Sequence, residues 1–110
     1  MGYATVQRVP RVDNHRHAKQ IHDNTKPLRG RSPEIKPLGN RRDADTYHIR
    51  MNGDAVELVL YKTPVITFMP DGEVTLFVDS YNTVSTHQFI SHVLGISASG
   101  VRRTTVLTIN

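Results

Sequence analysis

The chain contains no cysteine. That excludes disulfides, thiolate metal sites and cysteine nucleophiles, and it fits a reducing compartment. No stretch approaches ~18 consecutive apolar residues, the usual requirement for a membrane span, and the N-terminus has no apolar run of signal-peptide type. These absences give the expectation of a soluble, intracellular protein with no membrane partner. Catalytic signatures are missing too: the sequence has no H-E-x-x-H, no G-x-S-x-G and no glycine-rich phosphate loop. The expectation is a protein that is not an enzyme and holds no cofactor.

What is present is unevenly spread. Residues 1–45 carry ten Lys/Arg against five acids, whereas residues 46–110 carry four against five. The positive balance therefore belongs to the N-terminal part, which suggests an acidic partner such as nucleic acid or an acidic protein surface. We divide the chain into a basic, Pro/Gly-containing N-terminal arm, 1–45, and a small α+β domain, 46–110. Domains of about 60 residues bury only roughly 60% of their extended-chain surface. The arm, a second copy of the chain or another partner is then expected to complete the core.

The stretch Val56–Thr86 holds most of the patterned hydrophobicity. Thr46–Met51 alternates, with Tyr47, Ile49 and Met51 on one face and His48 and Arg50 on the other. Asn52-Gly53 predicts a type I′ hairpin turn, which needs positive φ twice. Asp54–Tyr61 answers it, with Val56, Leu58 and Leu60 on one face and Glu57, Val59 and Tyr61 on the other. Lys62-Thr63-Pro64 breaks the run, and Val65–Met69 forms the next strand. Pro70-Asp71-Gly72 predicts a tight turn with proline at the first corner of a type I turn and glycine left-handed after it. Glu73–Asp79 is the fourth strand. Ser85 or Thr86 is placed to cap a helix that runs to about Leu94 and stops at Gly95. Arg103–Ile109 closes the chain as a strand. The fold class expected is α+β: an antiparallel sheet of about five strands, one packed helix and the long basic arm.

Within the arm, Tyr3, Val6 and Val9 offer docking side chains. Asp13–Asn24 is the best helix candidate, with Asp13 as its cap. Its apolar face is limited to Val12, Ala18 and Ile21, too little for a helix stable alone. Lys26-Pro27-Leu28-Arg29-Gly30-Arg31 is echoed by Lys36-Pro37-Leu38-Gly39-Asn40-Arg41. Proline and glycine at these positions predict an extended path with turns, either anchored on the sheet through Leu28, Ile35 and Leu38 or left as a tether.

Six histidines raise the question of a metal. His87 and His92 are five residues apart, which is not the spacing of two ligands on one helical face, and no acid completes a set with them or with His15, His17 and His22. No metal site is expected. Ser85, Thr86 and His87 adjoin, but capping accounts for the hydroxyls. Turn chemistry and solubility account for Asp71, Glu73 and Asp79.

Two sets of binding residues remain. Arginines interleaved with Gly, Pro, His and Asn resemble tails that bind phosphate and order on contact. Arg29, Arg31, Arg41 and Arg42 are the leading phosphate contacts, followed by Arg16 and Lys19. His48, Arg50, Tyr61 and Phe77 are candidates for an aromatic-basic platform on the outward face of the sheet, where bases stack. Glu57, Glu73, Thr75 and Asp79 share that face, and their acids oppose phosphate.

The segment Leu60–Leu76, with Tyr61, Thr63, Val65, Thr67, Pro70-Asp71-Gly72 and Thr75-Leu76, resembles a run in small uncharacterised bacteriophage proteins, of pattern Y-x-T-x-V-v-T-f-x-P-D-G-x-v-T-L. Tyr81-Asn82-Thr83-Val84-Ser85-Thr86 is similar to a second element of those proteins, with Tyr81 where tryptophan is common, and Lys36-Pro37-Leu38-Gly39 is similar to a third. The resemblance spans about residues 26–95. It brings no catalytic residues and no established activity. It implies a phage accessory protein in the host cytoplasm or the virion. Three functions follow as expectations: a basic arm that binds nucleic acid or a nucleoprotein complex, a protein-binding inhibitor of a host or bacterial-defence complex of the anti-CRISPR kind, or a minor virion component.

Overall fold

Alternating apolar residues between Tyr47 and Phe77 build a ladder of sequential hairpins. The structure, a computed structural model, describes residues 9–27, 35–39, 44–78, 83–95 and 104–108. In chain order its elements are α1 (His15–Asn24), β1 (Lys36–Pro37), β2 (Tyr47–Asn52), β3 (Ala55–Leu60), β4 (Thr63–Phe68), β5 (Glu73–Phe77), α2 (Thr83–Leu94) and β6 (Thr104–Thr108). The strands form one antiparallel sheet in the order β1-β2-β3-β4-β5-β6, each paired with its neighbour in sequence. Five strands of five or six residues agree with the expected α+β sheet, and the two-residue β1 adds a sixth at one edge. The last strand, whose place the sequence leaves open, pairs with β5 from Glu73↔Thr108 to Phe77↔Thr104.

Register puts the apolar sets on one face. Tyr47, Ile49 and Met51 stand opposite Leu60, Leu58 and Val56. Val56 and Leu58 then face Phe68 and Ile66, which face Val74 and Leu76. A register shift between Leu58 and Val59 places Pro64 opposite Val59. Proline gives the ladder no donor, and an irregularity of this kind is where a strand tolerates it. β4 therefore begins at Thr63, two residues before the expected Val65, and includes Pro64.

Both turns flanking the central strands carry glycine at positive φ, but one differs from expectation. Asn52 pairs with Ala55, so the two-residue loop is Gly53-Asp54, one position later than the expected Asn52-Gly53. Gly53 alone has positive φ there, at 62°, which is the arrangement of a two-residue loop with glycine first. The second turn matches its reading. The N–H of Gly72 donates to the Met69 carbonyl at 3.1 Å, Pro70 takes the first corner, and Gly72 has φ 100°. The Asp71 carboxylate accepts from the Glu73 N–H at 2.9 Å and holds the loop.

Two helices cover the apolar face: the expected packed helix, and the arm's helix candidate beside it. Phe89, Ile90 and Val93 of α2 are fully buried, and the ring of Phe89 stacks on Tyr47 at 5.6 Å between centroids and 11° between planes. Such aromatic pairs add about 0.5–1.5 kcal/mol beyond area burial. α2 begins at Thr83, so Ser85 and Thr86 lie in its first turn and do not cap it. α1 is capped by Asn14, whose side chain accepts from the His17 N–H at 2.9 Å, in place of Asp13.

The thin apolar face of α1 is compensated by tertiary contacts. Val9, Val12, Ala18 and Leu38 belong to the same core cluster as the sheet residues, and Ile21 packs against it. The Val12 N–H donates to the Val93 carbonyl at 3.0 Å, and His92 Nε2 donates to the Val9 carbonyl at 2.6 Å. Lys36 Nζ donates to the His22 carbonyl at 2.7 Å, and the Leu38 N–H donates to the Tyr47 carbonyl at 3.2 Å. The described parts of the basic segment, 9–27 and 35–39, thus share one core with residues 44–78 and 83–95. Of the expected docking side chains, Tyr3, Val6 and Leu28 lie outside the described residues.

Candidate functional site

Hairpin topology sorts the turns to two ends of the sheet. The β2–β3 and β4–β5 turns share one end and carry Asp54, Asp71 and Glu73, all exposed. The β3–β4 turn, Tyr61-Lys62, is at the other end, with the turn at residues 44–46 that enters β2 and with the start of β6. Asp45 stands at that end too, exposed but engaged in an interaction of its own.

Tyr61 departs from its expected place. It is not the next residue on the outward sheet face, because β3 ends at Leu60, which pairs with Thr63. Tyr61 is the first residue of a two-residue loop and has φ 60°, the one positive value at a non-glycine among the described residues. Its N–H donates to the Thr46 carbonyl at 2.6 Å, which ties the turn to the strand entrance. The residue is 46% exposed, and it is the one exposed large hydrophobic among the described residues. The following Lys62 is exposed and forms no ion pair among the described residues.

The other platform candidates do not join it. His48 is only 8% exposed, too covered for a base to stack on its ring. Arg50 lies opposite Glu57, and its Nε donates to Glu57 Oε1 at 2.7 Å while Asn52 Nδ2 donates to Oε2 at 3.3 Å. Both carboxylate oxygens are occupied and the charge of Arg50 is cancelled within the face. Phe77 is half-buried on β5, and β3 and β4 lie between it and Arg50. Three strand spacings of about 4.8 Å put their strands roughly 14 Å apart.

On α1, Arg16 and Lys19 are three residues apart, hence on one helical face, and both are exposed. Lys19 Nζ bonds to Asp23 Oδ2 at 2.9 Å, and that bond, with a smaller part from His22, holds the Asp23 carboxyl below the ordinary carboxylate range. Arg16 has no ion pair among the described residues. Arg29, Arg31, Arg41 and Arg42 lie outside the described residues.

The histidines act mainly as structural connectors. His15 Nε2 donates to the Asp54 carbonyl at 2.6 Å and His92 Nε2 to that of Val9, while His17 Nδ1 accepts from the Asp13 N–H at 3.1 Å. His22 is half-buried, and both of its ring nitrogens are covered without a hydrogen bond; Asp23 Oδ1 is 3.6 Å from its Nδ1. Among the described residues no group of three His, Asp or Glu is placed to hold a metal ion.

Lys62 was not among the residues singled out from the sequence. A two-residue loop of Tyr and Lys carries no turn signal of its own, and the sequence places the break at Lys62-Thr63-Pro64, with Tyr61 still in the strand. The signal present was strand length: six residues from Ala55 bring β3 to Leu60 and leave Tyr61 outside it.

No helix among the described residues is long and apolar enough to cross a membrane. Comparisons with protein-family models, curated proteins and solved structures find no match to this chain.

Proposed function

We propose that this chain is a non-enzymatic phage accessory protein that binds nucleic acid or a nucleoprotein complex through its surplus of arginine. The observation that carries this reading is a partition of charge. The described residues hold seven Lys/Arg and seven acids, so the remainder of the sequence, with seven arginines and three acids, supplies the whole net charge of +4. Several cations inside the fold are already engaged: Lys19 with Asp23, Arg50 with Glu57, and Lys36 with the His22 carbonyl. Cations committed to internal partners stabilise the fold. Cations in surplus neutralise an external polyanion and release its counterions.

Position along the chain supports the same reading. In sequence, Arg41 and Arg42 come shortly before Ala44, and Arg102 and Arg103 come directly before Thr104. Ala44 and Thr104 stand at the end of the sheet that bears Lys62, opposite the end that bears Asp54, Asp71 and Glu73. Arg29 and Arg31 extend the set, and Arg16 on α1 is a further free cation. The phage assignment rests on the resemblance carried by Leu60–Leu76.

The test is purification of the full chain from a bacterial host with and without nuclease. The reading predicts co-purifying nucleic acid that nuclease removes. A host protein that stays bound after nuclease treatment, with no nucleic acid before it, replaces this reading with that of a protein-binding inhibitor.

A further inference from the structure

The two tight two-residue loops of the sheet are built alike. Gly53-Asp54 joins β2 to β3, Tyr61-Lys62 joins β3 to β4, and in each the first residue takes φ near +60°. Loops of this kind favour glycine first, because a side chain in the left-handed region costs about 1–2 kcal/mol. The chain uses glycine in the first loop and tyrosine in the second. The Tyr61 hydroxyl and ring return no hydrogen bond or ring stacking to the described fold for that cost. The residue is 46% exposed. A strained, half-exposed residue whose side chain has no polar or ring partner in its own fold points to use elsewhere.

We infer that the Tyr61-Lys62 tip is a contact for single-stranded nucleic acid, with the Tyr61 ring stacking on an unpaired base and the Lys62 ammonium meeting the adjoining phosphate. The inference rests on the reading of the chain as a nucleic-acid binder, and it names the strand form and the residues. An aromatic ring beside a free cation is the recurring unit of sequence-tolerant single-strand recognition, since every base presents a π-face. A duplex keeps its bases stacked and offers that ring nothing comparable. The acids of the neighbouring turns do not oppose the contact, because Asp54, Asp71 and Glu73 lie at the far end of the sheet. Asp45 is the described acid at the near end, and it has an interaction of its own.

The test is fluorescence anisotropy of the full chain with a labelled oligothymidylate and with a duplex of equal length, alongside thermal denaturation. Tyr61→Gly relieves the backbone, so its Tm is expected to equal or exceed that of the wild type while its affinity for the oligothymidylate falls about 5- to 150-fold, the span of one lost base–aromatic stack. Tyr61→Phe is expected to bind within about 2-fold of wild type, and Lys62→Ala to flatten the salt dependence by about 0.7 in log–log slope. Wild-type binding that Tyr61→Gly leaves unchanged overturns the stacking contact and leaves the charge-based reading intact. Loss of binding in Tyr61→Phe equal to that in Tyr61→Gly also overturns it, because the hydroxyl and not the ring is then the contact. A wild-type chain that binds neither oligonucleotide overturns both.

Discussion

The guanidinium of Arg11 occupies the space that a side chain on Gly95 would fill. Gly95 ends α2 with φ 68°, and its N–H donates to the Ser91 carbonyl at 2.8 Å. The positive group of Arg11 therefore lies against the negative end of the helix macrodipole. One glycine serves both the left-handed helix stop and the closure of the N-terminal segment over α2.

Gly95→Ala is accordingly expected to destabilise the protein by about 1–2 kcal/mol through φ alone. Displacement of Arg11 adds to that. Chemical denaturation of the full chain measures it, and an unchanged midpoint contradicts the arrangement.

Asn14→Ala removes the side-chain acceptor at the start of α1. A loss of about 1 kcal/mol is expected, or roughly 4–8 °C in Tm. Because α1 shares the main core, global unfolding should report it. A loss confined to the helical signal, with the main transition unmoved, contradicts the shared core.

Glu57→Gln keeps the shape of the Arg50 partner and removes its charge. The pair is partly exposed, with side chains 36% and 10% accessible, so solvent screening reduces its worth. A double-mutant cycle with Arg50→Gln is expected to give a coupling of about 1 kcal/mol. A coupling of zero shows that the cross-strand pair is incidental.

The Asp23 carboxyl titrates below the ordinary carboxylate range because it accepts from Lys19. Its folded value is depressed, so its small contribution to stability is present above the unfolded carboxylate pKa and lost as pH falls through the folded one. An NMR titration should show this, and Lys19→Ala should move the Asp23 midpoint upward. No movement contradicts the cause assigned to the shift.

The sheet was largely legible in the sequence because period-two alternation in Tyr47–Leu60 and Val74–Leu76 directly encodes which face is buried. The Pro70-Asp71-Gly72 turn was legible for a similar reason: each residue has one conformational role. Elements decided by tertiary contact were less so. β1 is two residues long and exists through its pairing with β2. Asn14 outcompetes Asp13 as cap by one position, a difference within the ordinary ambiguity of helix starts. Tyr61 was placed on a sheet face because alternation, continued one step too far, carries no mark of where a strand stops. His48 and Arg50 lie on the face expected of them, but the burial of one and the ion pair of the other depend on neighbours that periodicity does not name.

The most direct measurement is the salt dependence of oligonucleotide affinity for the full chain beside a variant with Arg29, Arg31, Arg41 and Arg42 replaced by alanine. If surplus arginine binds phosphate, log affinity falls linearly with log salt for the wild type, and the variant is shallower by about 3, four contacts at roughly 0.7 each. A wild-type affinity indifferent to salt, or a variant with the wild-type slope, contradicts the account.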